Sequence, residues 1–322
     1  MKNFKRITAL VLSLIFVIGI CLAASSCGKK TKYKVGVCQL APHVALDAAT
    51  QGFVDALKEA FGNDVEIDLQ NAAGDSPTCT TIVNSFVSKN YDLIMANATP
   101  AVQAAANATT TIPILGTSVT EYGVALSLDD FNGVTGMNVS GTSDLAPLTE
   151  QAQMIIDLFP DATKIGLLFC SAEANSKYQV DVVKEYLESK GKTATFFTFS
   201  DTNDIQSVMT SACSACDVIY VPTDNTAATC ASTINAISRE TKTPVFAGEE
   251  GICEGCGTFT LSISYYEIGH KTGEMAVQIL RDGTDVSKMK IEYDPNPVKK
   301  YNKDNCEFFG LTVPSDYVAI GG

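Results

Sequence analysis

The feature that most limits the fold is an alternation of strand-like and helix-like stretches, run through twice along the chain. In the first run, residues 33–38 are expected as a buried strand. Residues 44–61 follow, with Leu46, Ala49, Phe53, Ala56, Leu57, Ala60 and Phe61 at helical spacing. Strands are expected at 65–69, 93–96, 112–115 and 134–138, and helices at 77–88 and 99–108, the latter with Thr99 as N-cap and Pro100 in the first turn. The second run puts strands at 164–169, 194–199, 218–221, 244–247 and 258–263. Its helices fall at 176–189, 204–212, 226–240 and 265–281. Strands spaced by helices make right-handed crossovers on parallel sheets. The expected fold is therefore α/β, with two Rossmann-like lobes.

The lobes are expected to join near residues 140–144, 262–264 and 294–297, the plan of a hinged binding protein. Residues 33–140 plus 295–322 would form the first lobe and 141–294 the second. A chain of 322 residues with 46% hydrophobic content suits two domains better than one.

The N-terminus speaks for export. Lys2, Lys5 and Arg6 precede an uncharged apolar stretch over residues 7–24, which ends in Ala23-Ala24-Ser25-Ser26 before Cys27-Gly28. Residues 1–26 are expected as a secretory signal, Cys27 as a lipidated cysteine and 27–32 as a linker. The protein would then sit outside the cytoplasm, anchored to the cell membrane by lipid. Of 23 Lys and Arg, three belong to the signal; the remaining 20 face 36 Asp and Glu, a net charge of −16. So acidic a chain is a poor partner for nucleic acid or an anionic membrane.

In parallel sheets, ligands sit beyond the carboxyl ends of the strands. Those positions here carry many polar residues and no reaction centre. The first lobe offers His43, Asn97, Thr99, Thr117, Ser118, Val119 and Thr120. The second offers Glu173, Asn175, Ser176, Thr223, Asp224, Asn225, Glu249 and Glu250. Hydroxyls and helix N-termini in the first lobe favour a carboxylate. Carboxylates in the second suit an ammonium. A zwitterionic amino acid bridging the cleft satisfies both. Each hydroxyl has the alternative of capping its own helix. His43 is either an exposed cap or a ring that stacks on, or hydrogen-bonds to, the ligand. No nucleophile stands beside a base with a third orienting group, and no glycine-rich phosphate loop is present, so catalysis is not expected.

Cysteine is the unusual component. Of eleven, Cys21 belongs to the signal and Cys27 would carry lipid; nine is an odd number, so at least one is unpaired within the chain. Cys213/Cys216 and Cys253/Cys256 form two Cys-x-x-Cys pairs, with 36 residues between Cys216 and Cys253. That interval is far beyond the roughly 15–20 residues of a common four-cysteine zinc site. No metal and no cofactor are expected.

Several segments together resemble the ABC-transporter substrate-binding proteins for tryptophan and other aromatic amino acids. They include His43, Ala45-Leu46-Asp47-Ala48-Ala49, Gly52-Phe53, Asn71-Ala72, Gly74-Asp75, Ala98-Thr99-Pro100 and Val119-Thr120. In the second half they are Glu173-Ala174-Asn175-Ser176, Val221-Pro222-Thr223-Asp224-Asn225, Phe246-Ala247-Gly248, Tyr265-Tyr266, Gly269 and Thr272-Gly273. The resemblance implies a type I periplasmic-binding-protein fold and a monomer that delivers a free amino acid to a membrane permease. It also implies that Thr99 and the turn from Thr117 to Thr120 hold the ligand's carboxylate, and Asp224 or Glu249 its amine. Three departures leave the ligand open: Glu249 where the family commonly has aspartate, Glu121-Tyr122 where it has Asp-Pro, and Ser264 where it often has aspartate. An exported sensor for a membrane signalling partner, or a non-aromatic solute as ligand, is the alternative reading.

Overall fold

The computed structural model describes residues 32–321. The expected signal, Cys27 and most of the linker lie outside the described residues. Two sheets organise the chain. The first holds β1 (Tyr33–Gln39), β2 (Val65–Asn71), β3 (Leu93–Asn97), β4 (Ile114–Val119), β5 (Val139–Ser143) and a late strand β11 (Glu292–Tyr293), in the order β11-β5-β4-β3-β1-β2. Every pairing in it is parallel. The second holds β6 (Lys164–Cys170), β7 (Thr193–Phe199), β8 (Val218–Val221), β9 (Val245–Ala247) and β10 (Phe259–Ser262), with β12 (Val298–Tyr301) and β13 (Val318–Ala319) at its edge. Its order is β13-β12-β10-β9-β8-β6-β7, and only β10 with β12 runs antiparallel. Strand order reverses between β1 and β3 and again between β6 and β8. At such a reversal the flanking helices leave on opposite faces and open a crevice beyond the strands.

Helices cover both faces of each sheet. Over the first lie α1 (Val44–Phe61), α2 (Ser76–Ser88), α3 (Thr99–Ala108) and a short α4 (Tyr122–Leu126). Over the second lie α5 (Leu148–Leu158), α6 (Ala174–Ser189), α7 (Ile205–Ala215), α8 (Asn225–Thr229), α9 (Ala231–Thr241), α10 (Glu250–Gly255) and a late α12 (Lys303–Phe309). The long α11 (Tyr265–Asp282) starts at Ser264, whose hydroxyl accepts from Glu267 N, and stops at Gly283 in the left-handed region. Its apolar stripe buries Met275, Ala276, Val277 and Ile279 against Val35, Val37, Phe53, Leu57, Met95 and Leu115 of the first lobe.

That placement corrects the expected division of the chain. Residues 264–294 lie on the first lobe, because α11 packs on α1 and β11 pairs with β5. The tail beyond 295 lies on the second, where β12 pairs with β10 and Cys306 enters the core with Leu261 and Phe259. The chain passes between lobes after Ser143, after Ser262 and after Tyr293. Helix α5 was missed, and the strand expected at 134–138 lies at Val139–Ser143.

Helices α1 and α11 touch backbone to backbone. A Cβ on Gly269 would stand 1.9 Å from Ala49 O, and one on Gly52 would stand 2.2 Å from Tyr266 O. Neither neighbour is a side-chain tip able to swing aside. Gly269→Ala must push the helices apart and is expected to cost about 1–3 kcal/mol of stability. Denaturant melts of the two proteins check this; an unchanged midpoint means the helices do not approach so closely.

Candidate functional site

The carboxyl ends of the first sheet are braced before they are offered to anything. Gln39 Nε2 donates to Asp47 Oδ1 at 2.6 Å, and its Oε1 accepts from Thr50 Oγ1 at 2.6 Å. Asn97 Nδ2 donates to Leu46 O at 2.8 Å and to Thr50 Oγ1 at 2.9 Å. These bonds fasten β1 and β3 to α1 and leave Asn97 Oδ1 buried with no partner. Ala98, not Thr99, is the N-cap of α3, with φ 91; Thr99 is its first residue and is buried.

Thr117 is turned to a different task from the one expected. It is fully buried, and its hydroxyl lies 3.1 Å from Thr142 Oγ1, itself 2.8 Å from Thr272 Oγ1 on α11. This hydroxyl chain joins the sheet to α11, so the expected carboxylate contact is replaced by a structural one. Ser118 takes a left-handed φ of 54 and keeps a buried Oγ with no partner. Val119 lies in the core, and Thr120 Oγ1 donates to Asp144 Oδ1 at 2.9 Å.

In the second lobe, α6 frames the residues that follow β8. Asn175 Nδ2, Ser176 Oγ and Gln179 Nε2 all point to Thr223 O, and Thr223 N donates to Gln179 Oε1. Asn175 Oδ1 is buried without a partner. Asp224 caps α8, accepting from Ala227 N at 2.8 Å, and also accepts from Cys170 N at 2.7 Å. Glu249 caps α10, accepting from Gly251 N at 2.6 Å and Ile252 N at 2.5 Å.

The lobes meet around a narrow cavity of about 10 Å³ lined by His43, Asp144, Thr223, Asp224, Glu249 and Tyr265, with Asn225 at its side. Asn225 also borders a wider cleft of about 590 Å³, edged by Pro42 and Pro100 from one lobe and Glu173 and Thr226 from the other. Two important residues were absent from the expected site. Asp144, at the first passage between lobes, accepts from Thr120 Oγ1 and from Tyr265 Oη at 3.0 Å. The rule of reading past each strand would have found it had β5 been placed at Val139–Ser143. Tyr265, just after the second passage, belongs to the Tyr265-Tyr266 pair of the family resemblance, which by itself signals no role for it.

Asp144, Asp224 and Glu249 are 4%, 1% and 3% exposed, and no lysine or arginine lines the cavity. Burial pushes the Asp144 carboxyl up to about 6, against the hydroxyl donors that hold it down. Glu249 is pushed up to about 7, chiefly by burial, with Asp144 and Glu250 adding to the rise. Asp224 is raised by burial and then by the Glu173 carboxylate. Glu250 itself faces away to Lys300 Nζ at 2.5 Å. His43 is lowered, first by burial. The phenol of Tyr265 is raised well above its ordinary value by burial, then by Asp144 and Glu249. Buried acceptors and carboxyl groups gathered without a counter-ion can receive a cation carrying hydrogen-bond donors. Among the described residues no group of three or more His, Cys, Asp and Glu is placed to hold a metal ion. The described cysteines stand as free thiols, with Cys253 and Cys256 buried.

A family model described as ABC transporter substrate binding protein matches residues 34–317. A curated relative, a tyrosine-binding protein of Clostridioides difficile (strain R20291), is 36% identical over 278 residues, 83% of this chain and 79% of that one. Among solved structures, a domain from Streptococcus pneumonia in complex with L-Trp is similar at TM-score 0.84 and 32% identity, covering 88% of this chain and 96% of that one. The ligand-free, open structure of a Clostridium difficile substrate-binding protein with adhesive properties is similar at TM-score 0.69 and 38% identity, covering 89% and 99%. The two α/β lobes have the type I periplasmic-binding-protein fold.

A group whose pKa is higher in the folded than in the unfolded chain stabilises the fold below its unfolded pKa. That contribution is lost as pH rises through the folded value. Asp144 and Glu249 rise from ordinary values of 3.8 and 4.5 to about 6 and about 7. Without added ligand, the melting temperature should therefore fall as pH is raised from about 5 to about 8. Asp144→Asn should flatten part of that slope. Thermal melts across this range check both; a melting temperature that rises with pH contradicts the burial of these charges.

Proposed function

We propose a function from one premise: the chain belongs to the family of ABC transporter substrate-binding proteins, which are solute binders and not enzymes. Its ligand is a free aromatic amino acid, tryptophan or tyrosine first, held between the lobes and handed as cargo to a membrane permease. The observation that carries this reading is the set of three carboxylates buried around one cavity with no protein cation. An α-ammonium group supplies the missing charge and three N–H donors together. Thr99 and the Ser118 hydroxyl, at the ends of β3 and β4, are left for the ligand's carboxylate; Thr117 is not. The tyrosine-binding relative and the L-Trp complex support the aromatic class.

Hinge movement about the three passages admits the ligand, because a cavity of about 10 Å³ is too small for an amino acid unless the lobes part. The chain superposes better on the L-Trp complex than on the open, ligand-free relative, although it is more identical to the latter. This supports rotation of the lobes rather than sequence divergence as the main difference. The protein works as a monomer.

A thermal-shift screen against the twenty amino acids tests the ligand class, since a ligand that binds only the folded state raises the melting temperature. Calorimetry on Asp144→Asn and Glu249→Gln then tests the amine site. Each is expected to weaken binding by about 2 kcal/mol or more, roughly thirtyfold. Glu249→Gln also loses part of a helix cap, about 1 kcal/mol of stability; Asp144→Asn caps no helix and is the cleaner probe. Affinities within about threefold of the parent for both variants would mean that the amine is held elsewhere.

The N-terminal motif supports anchoring through Cys27, with the protein on the outer face of the cell membrane. Cys27→Ser should move the protein from the membrane fraction to the soluble extracytoplasmic fraction. Full membrane retention of that variant contradicts lipid anchoring at this residue.

A further inference from the structure

His43 belongs to the first lobe and Asn225 to the second, and they meet across the cleft with His43 Nε2 at 3.3 Å from Asn225 Oδ1. What lies behind Asn225 decides what this contact is. Glu173 accepts from Asn225 N at 3.0 Å, Thr226 N at 2.9 Å and Thr226 Oγ1 at 2.8 Å, and from Asn225 Nδ2 at 2.7 Å. A carboxylate engaged by so many donors can only accept, so the amide of Asn225 must turn its NH₂ to Glu173 and its oxygen to His43. An amide oxygen also only accepts. The hydrogen of the neutral imidazole therefore resides on Nε2, and Nδ1 is a bare acceptor. Burial keeps the ring neutral. Nδ1 is buried and has no partner in the protein.

A buried acceptor of this kind calls for a donor from the ligand. The α-ammonium has three N–H groups, and Asp144, Asp224 and Glu249 line the same cavity as His43. Charged acceptors hold such donors more strongly than a neutral ring nitrogen does. The ammonium is thus taken, and a second donor is needed.

We propose that His43 determines specificity by accepting, at Nδ1, a hydrogen bond from the ligand's side chain, so that the site selects an aromatic amino acid bearing N–H or O–H. Indole and phenol supply that donor; a plain benzyl group does not. Glu173 and Asn225 act as positioning residues that fix the tautomer. The proposal rests on the amino-acid reading above.

The test is calorimetry of the full-length chain with L-tryptophan, L-tyrosine and L-phenylalanine. Phenylalanine should bind about tenfold or more weakly than the better of the other two, because a site made to pair with a donor disfavours the analogue lacking it. His43→Phe should bring that ratio within about threefold, chiefly through weaker binding of the donor-bearing ligand. Glu173→Gln, which lets the Asn225 amide turn over, should reduce the ratio too and serves if His43→Phe does not fold. Phenylalanine binding within threefold of both others in the parent protein overturns the proposal, as does selectivity that survives in a folded His43→Phe. If none of the three amino acids binds, the aromatic amino-acid reading falls and takes this proposal with it. Binding without discrimination leaves that reading standing and removes only the role of His43.

Discussion

Negative charge buried without positive charge is the constraint around which both lobes are arranged. Asp224 and Glu249 keep their carboxylates at the first turns of α8 and α10, where backbone N–H groups stand in for water. Asp144 relies on two hydroxyls, from Thr120 and Tyr265. These partners offset only part of the cost of leaving water, as the raised carboxyl groups attest. Bringing the lobes together also brings like charges together. In the proposed function, a cation in the cavity would turn mutual repulsion into shared attraction and so couple closure to binding.

The mechanical design follows from where the carboxylates sit. Asp144 and Tyr265 lie beside the first two passages between the lobes, the places that would move least in the proposed turn of the lobes. Asp224 and Glu249 ride on the second lobe and His43 on the first. The hydroxyl chain from Thr117 through Thr142 to Thr272 ties the first sheet to α11 just beside these pivots. The glycine contacts between α1 and α11 add a second rigid fastening. In the proposed hinge movement, rotation would fall on the short connections and the charge-bearing residues would keep their local geometry.

Much of this was legible in the residues. Apolar periodicity located ten strands of the two sheets, nine within a few positions, because buried parallel strands and amphipathic helices leave different spacings. Reading past each strand picked out His43, Asp224, Asn225 and Glu249, which the structure brings to one cavity. The failures have physical causes. Residues 134–138 contain the strand-like Val134, but the register with β4 begins at Val139, and that slip hid Asp144. The cap role of Glu249 went unseen because α10 is six residues long, too short for a periodic signal. The tail lies on the second lobe, as three passages between the lobes require. After the second passage a chain is back on its first lobe, and after the third it must be on its second. Thr117 illustrates a limit of the strand-end rule: it identifies the neighbourhood of a side chain, while its partners decide which way the hydroxyl turns.

The return of α11 to the first lobe has a consequence for how the chain is made. One face of the first sheet is closed by Met275, Ala276, Val277, Ile279 and Val286, residues that follow the whole of β6 to β10 in sequence. On the ribosome the first five strands emerge early, yet the apolar face that Phe53 and Leu57 of α1 cover in part is not closed until residue 286 has been added. The second lobe needs β12, β13 and α12 in the same way. Neither lobe can finish as an independent unit during synthesis, and both reach their cores at nearly the same late moment. Contacts of such long sequence separation slow folding and leave apolar surface exposed meanwhile. The protein is thus at its most vulnerable to proteases and aggregation while nearly all of it has already been synthesised.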